Sequence, residues 1–280
     1  MGWPGALRLD YRSDELRGAR RTVVFDRHSG PLRVLASLYP EAPAVCHNVL
    51  VHPPGGIVGG DTLAIDAHLA ANTHALLTTP GATRFYRSAG EPAVQTLHAQ
   101  LAEGARLEWL PLETIAQSGC LAENRLQFDL APGAEMIGWD LLALGLPASN
   151  EAFERGRYTQ TITLPGHWLE RAVIDAEDKR LLDSPLGWAG RRVLGTLWFA
   201  CGSAIDAARK EALLDGARTL AAASELAASA GASSTHANVV VLRVLAPRVE
   251  PAMLLMARVW AQWRDSAWAL PACAPRVWRT

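Results

Sequence analysis

The chain has 280 residues, of which 49% are hydrophobic and 20% charged, with a formal net charge of −1. Globular packing follows from that composition. The missing basic excess argues against a nucleic-acid or anionic-membrane partner, and no apolar run reaches the ~20 residues of a membrane span.

The N-terminus carries Arg8, Asp10, Arg12, Asp14, Glu15 and Arg17 where a secretory leader has an apolar run, so no leader is expected. Four cysteines (Cys46, Cys120, Cys201, Cys273) stand far apart without a CxxC, which fits reduced thiols and a cytoplasmic location.

Up to about residue 202 the chain reads as strands and turns. LAIDAHLA (63–70) alternates, with Leu63, Ile65, Ala67 and Leu69 on one face and Asp66 and His68 on the other. RLQFDL (125–130) alternates likewise, and HALLTT (74–79), YTQTITL (158–164), LERAVID (169–175) and VLGTLWFA (193–200) are short and β-favouring. Pro-Gly pairs at 80, 132 and 165 and SPLG at 184–187 punctuate them. NTHALL (72–77), GARLEWL (104–110) and GAEMIGW (133–139) recur at spacings of 32 and 29 residues, each a turn residue before an apolar strand. Stacked coils or repeated hairpins both produce this pattern.

Beyond Ser203 the composition turns helical. A helix is expected from Ser203 to Ser229, N-capped by Ser203 and closed by Gly231. ANVVVLRVLA (237–246) reads as a strand buried on both faces, and Pro251 suits the first turn of a second helix to about Trp263. The expectation is one domain over 1–280: β layers over 1–202, with a helix-strand-helix part over 203–280 packed on them. The fold class is mainly β with two C-terminal helices (α+β) in a layered, coil-like architecture.

The densest punctuation is HPPGGIVGGD (52–61). It lacks GxxxxGK[ST] and GxGxxG spacing, the next segment is a strand, and no lysine is near, so a phosphate loop is excluded. Cys46, His47 and His52, with Asp61, Asp66, His68 and His74 beyond, are ligand types that suit zinc or nickel, but no spacing forces them together. No GxSxG, HExxH or obligatory carboxylate pair marks an enzyme. Pro53, Pro54, Gly55, Gly56, Gly59 and Gly60 read as a shaped backbone turn, with Asp61 accepting from its amides.

VHPPGGIVGGDTLAIDAHLAANTHALLTTPGATRFYRS (51–88) resembles the signature region of the urease accessory proteins called UreD, or UreH in some organisms. GPLRVLASLYPE (30–41), GARLEWLPLETI (104–115), GWDLLALG (138–145), GASS (231–234) and PRVW (275–278) extend the likeness in the same order along nearly the whole chain. Many members carry Gly where Asn72 stands, and polar runs where His52-Pro53-Pro54 stands, which weakens any family-wide ligand role for His52. The resemblance implies a non-enzymatic maturation factor that helps load nickel into apo-urease. It implies binding to UreF, recruitment of the GTPase UreG, indirect supply by UreE, two copies in a two-fold complex, and an internal water-filled passage. No tightly bound cofactor is implied, only transient Ni2+.

A conduit must release its cargo, so carboxylates and hydroxyls suit it better than a closed Cys/His cage. On that reading Asp61, Asp66, Asp140 and Glu177 are the candidate passage acids, and Thr78, Thr79 and Ser118 the neighbouring hydroxyls. Asp140 stands alone in an apolar strand, where a charge needs a partner or water. Of the ten tryptophans, Trp260 and Trp263 are the candidate partner-binding anchors on the last helix. A scaffold without metal contact, or a hydrolase whose site is assembled from distant residues, are the alternatives.

Overall fold

A computed structural model describes residues 2–146, 149 and 151–279. The order is β1 (Pro4–Leu16), β2 (Ala19–Ser29), β3 (Arg33–Val34), β4 (Val45–Val51), β5 (Thr62–Leu69), β6 (His74–Thr78), β7 (Thr83–Phe85), β8 (Ala93–Leu101) and β9 (Arg106–Trp109). There follow β10 (Thr114–Ala116), β11 (Cys120–Leu130), β12 (Glu135–Leu144), β13 (Gly156–Leu164), β14 (Trp168–Asp175), α1 (Lys179–Asp183), β15 (Val193–Cys201), α2 (Ala207–Ala222), β16 (Ala230–His236), β17 (Val239–Ala246) and α3 (Val249–Trp268). A 3-10 turn, Arg276–Arg279, closes the chain's described part.

Two sheets stack face to face. The first runs β14-β13-β11-β8-β5-β1-β2 and the second β16-β17-β15-β12-β9-β6-β4-β3, with β7 and β10 attached beside β12. From β4 to β13 the chain passes alternately between the sheets, so β5, β8, β11 and β13 pair in parallel, as do β4, β6, β9 and β12. The weak repeat is therefore a stack of coils and not a reuse of hairpins. His74 pairs with Arg106 and Arg106 with Glu135, the same steps of 32 and 29 residues.

Register explains the core. Leu7, Ile65, Leu97, Leu126 and Ile162 stand in one column across five strands, all buried. Burying each such side chain contributes about 1.5–3 kcal/mol. One step along, the column reads Gly5, Leu63, Gln95, Asn124, Gln160, so amides replace aliphatics in the middle of the sheet. That polar step positions the site described below.

The second sheet is the middle layer of three. Val239 and Val241 of β17 join the core between the sheets, whereas Val240, Leu242 and Val244 join the core under α2 and α3. This is why 239–246 carries apolar residues at successive positions, Arg243 apart, without alternation, as its sequence implied. β12 divides likewise: Ile137, Trp139, Leu141 and Ala143 belong to the helix side and Met136, Leu142 and Leu144 to the inter-sheet side. Alternation then aims Asp140 between the sheets.

The helix boundaries differ from expectation. The first C-terminal helix spans Ala207–Ala222, and its N-cap is Asp206, which accepts from the N–H of Ala208 and Arg209. A carboxylate two residues before the first free amides outcompetes Ser203, whose hydroxyl instead accepts from Gly133 N–H at 3.3 Å. Gly231 is no cap: it lies in β16, opposite Arg243. α3 runs past Trp263 to Trp268 and ends on Ala269 in the left-handed region. The β1–β2 hairpin was not anticipated, although ALRLDY alternates.

Candidate functional site

The Pro-Gly-rich stretch turns the chain from β4 into β5. Gly55 N–H donates to the His52 carbonyl at 2.8 Å, and Asp61 N–H to Val58 at 3.0 Å. Gly55 sits at φ +76, where other residues are strained, and a Cβ on Gly56 would lie 1.9 Å from the Tyr86 ring. At the other pair, Gly60 holds φ +92 and Gly59 lies against Ser88. Between the pairs Ile57 bridges to Phe85, fastening the turn to β7. The stretch is thus a shaped backbone turn, with glycines at positive φ or against neighbouring side chains.

Beneath it a cavity opens between the sheets. His52, Gly55 and Gly56 meet Thr79, Thr83 and Arg84 around its outer part, and Gln95, Trp109, Thr114, Asn124 and Asp140 line it further in. Water centres have about 80 Å³ there, several times the roughly 10–15 Å³ that one water needs. Arg84 is exposed, and its carbonyl accepts from Ile57 N–H at 2.7 Å. The His52 ring is half-buried, and burial lowers its pKa against the pull of Asp61, which favours the neutral imidazole.

At the inner end Asn124 Nδ2 donates to Asp140 Oδ1 at 3.3 Å, and Gln95 Nε2 to Asn124 Oδ1 at 3.3 Å. Tyr158 O–H donates to Gln160 Oε1 at 2.9 Å. Burial pushes the Asp140 carboxyl up to about 7, with Gln160 opposing and the Glu170 charge adding. Trp109 Nε1, in the cavity wall, is buried without a partner among the described residues, so a polar occupant suits this end. Of the acids anticipated, Asp140 alone lines the cavity, and of the hydroxyls Thr79 alone. The amides Gln95 and Asn124, Thr114 and His52 were not anticipated in the wall. For the two amides the signal was a polar residue at an inward position of an alternating strand, and for His52 and Thr114 the strand pattern carried none.

The other expected residues have different duties. Asp61 Oδ1 accepts from Trp3 N–H at 2.8 Å and Oδ2 from Val58 N–H at 3.0 Å, so its carboxylate caps the turn. Asp66 lies on the outer face of β5 because Ile65 and Ala67 take the inner one. Glu177 is exposed in the turn after β14. Thr78 Oγ1 donates to the Leu110 carbonyl at 2.7 Å and accepts from Trp278 Nε1 at 2.9 Å. Ser118 Oγ accepts from Glu154 and Arg155 N–H. Trp260 and Trp263 are 1% and 0% exposed, which removes them as surface anchors. Their N–H groups donate to Glu108 Oε2 at 2.6 Å and the Leu213 carbonyl at 2.9 Å.

Trp260 belongs to a buried charge network that no local pattern announced. Arg264 Nε donates to Glu108 Oε1 at 3.1 Å, and its Nη2 reaches Glu41 Oε2 at 2.5 Å. His74 Nε2 meets Glu108 at 2.7 Å, and His47 Nε2 meets Glu41 at 2.6 Å. These pairs occupy His47 and His74. Among the described residues no group of three or more His, Cys, Asp and Glu side chains converges as a metal site. No helix among them is long and apolar enough to cross a membrane.

A family model described as UreD urease accessory protein matches residues 4–279. The urease accessory protein UreD of Leptothrix cholodnii is 64% identical over 280 residues, all of both chains. That of Variovorax paradoxus is 60% identical over 280 residues, and that of a Polaromonas species 56% over 278, 99% of each chain. With the match running through the glycine turn, the coil stack and the C-terminal helices alike, the chain belongs to the UreD family of urease accessory proteins.

Proposed function

We propose that this chain serves urease maturation by giving nickel a protected route through the inter-sheet cavity, acting in the cytoplasm with UreF and UreG on apo-urease. The observation that carries the reading is one cavity that joins a surface turn to a buried carboxylate, Asp140, with hydroxyls and amides set among the aliphatic side chains of Leu32, Leu50, Leu63 and Ile65. Oxygen ligands and water exchange quickly on a divalent ion, and a lone carboxylate holds it weakly enough to release it. The protein contributes shape, polarity and exclusion of competing ligands; it performs no bond chemistry. Nickel itself is cargo, supplied through UreE and UreG, and two copies act in a two-fold assembly with UreF.

The test is urease activation on co-expression with apo-urease, UreF and UreG. Asp140→Ala abolishes activation while retaining UreF in pull-down, and Asp66→Ala, on the outer face, does not. Full activation by Asp140→Ala refutes the conduit and leaves a scaffold.

A further inference from the structure

Among the groups lining the cavity, His52 is the one nitrogen donor suited to a borderline divalent ion. Its carbonyl is taken by Gly55 N–H, but its ring makes no hydrogen bond with any described residue, unlike the rings of His47 and His74. The backbone fixes where that ring sits: Pro53 and Pro54 follow it, Gly55 closes the turn on its carbonyl, and Asp61 clamps the far side through Val58 and Trp3. A half-buried imidazole therefore stands at the outer part of the same cavity whose inner end holds Asp140.

We infer that His52 is the first ligand the ion meets, taking it through one ring nitrogen beside the glycine turn and passing it to the oxygens around Asp140. This rests on the conduit reading above. Nitrogen outside and oxygen inside divide the work: an imidazole competes with water for nickel at the surface, and the amide-and-carboxylate interior binds it more loosely, so onward transfer is drawn by removal of the ion at the far end and not by rising affinity. The two positions are single ligands in separate parts of one cavity, so neither traps the ion. The nearby Asp61 carboxylate, already engaged with two backbone N–H groups, contributes field without needing to ligate.

The experiment varies medium nickel during co-expression of the full chain with apo-urease, UreF and UreG, and reads the concentration giving half-maximal activation. Loss of a group that supports a metal site costs roughly 10–100-fold in affinity, so His52→Leu, which keeps the bulk, raises that concentration about tenfold or more. His52→Asp restores a ligand and recovers most of the shift, an outcome a purely structural histidine would not give. In parallel, Ni2+ alone is added to the purified chain carrying 13C-labelled histidines, and the ring C–H signal of His52 broadens ahead of the others among the eight. A His52→Leu response equal to wild type, a His52→Asp defect as deep as His52→Leu, or a His52 signal unmoved by Ni2+ overturns the inference. If Asp140→Ala still abolishes activation in that event, the conduit stands without His52; if Asp140→Ala is also silent, the conduit itself has failed.

Discussion

Arg264→Leu removes the hub of the buried network that ties α3 to the coil stack. The guanidinium is 0% exposed and bonds to Glu108, Glu41 and the Pro271 carbonyl, so three segments lose their common partner. Burial opposes the Glu108 charge, yet its bonds to His74, Arg264 and Trp260 outweigh that cost and hold its pKa below the usual carboxylate value. Taking one member from such a set leaves an uncompensated buried charge, which costs about 3–5 kcal/mol. Melting then falls by roughly 6–20 °C, since 1 kcal/mol corresponds to about 2–4 °C in a chain near this size. Urea unfolding of Arg264→Leu, Glu108→Gln and the double variant measures the effect. Glu108→Gln keeps shape and removes charge, so the double variant recovers about 1–3 kcal/mol of the summed losses. An Arg264→Leu penalty below about 1 kcal/mol, or strict additivity, would refute the network's role.

The depressed pKa values of Glu41, Glu108 and Glu135 make their stabilisation complete above the unfolded value of 4.5, and it drains away as pH falls below that, which acid unfolding followed by tryptophan fluorescence detects. Asp140 has the opposite sign. Its folded pKa of about 7 against 3.8 unfolded means stability falls as pH rises between those values, by on the order of 4 kcal/mol. Asp140→Asn therefore stabilises the chain at pH 8 and flattens the profile between pH 4 and 7; urea melts at pH 5 and 8 that match wild type contradict the burial of a charge there. Gly55→Ala meets no atom but must hold φ +76, costing about 1–2 kcal/mol, read by thermal melting, and a cost near zero means the turn relaxes. Trp260→Phe keeps an aromatic ring, though a smaller one, and leaves Glu108 Oε2 without its donor, costing about 1–3 kcal/mol for the lost bond beyond the cost of the vacated volume, with UreF pull-down retained by the folded variant.

Local chemistry is what the sequence by itself determined. Period-two alternation put Leu63, Ile65 and Ala67 inward and Asp66 outward, and the glycine pairs of 52–61 required a fixed backbone corner, because these follow from covalent geometry and the pleat. The apolar run at 239–246, interrupted only by Arg243, disclosed a strand covered on both faces for the same reason. The coil stack left only a faint trace, two spacings of 32 and 29, since parallel neighbours are joined across a corner and need no identical side chains. Helix limits failed where capping was a competition between Ser203 and Asp206. The site was legible one residue at a time and not as a set. Asp140 betrayed itself as a charge in an apolar strand, but Asn124 bonds to it from 16 residues upstream, Gln95 joins through Asn124 from 45 upstream, and His52 lines the same cavity from a turn further back still. Tertiary structure alone could assemble that wall, and it alone could show Asp61 also holding Trp3 and Trp260 turned inward onto Glu108, because hydrogen-bond partners distant in sequence are chosen by the packing of layers and not by neighbouring residues.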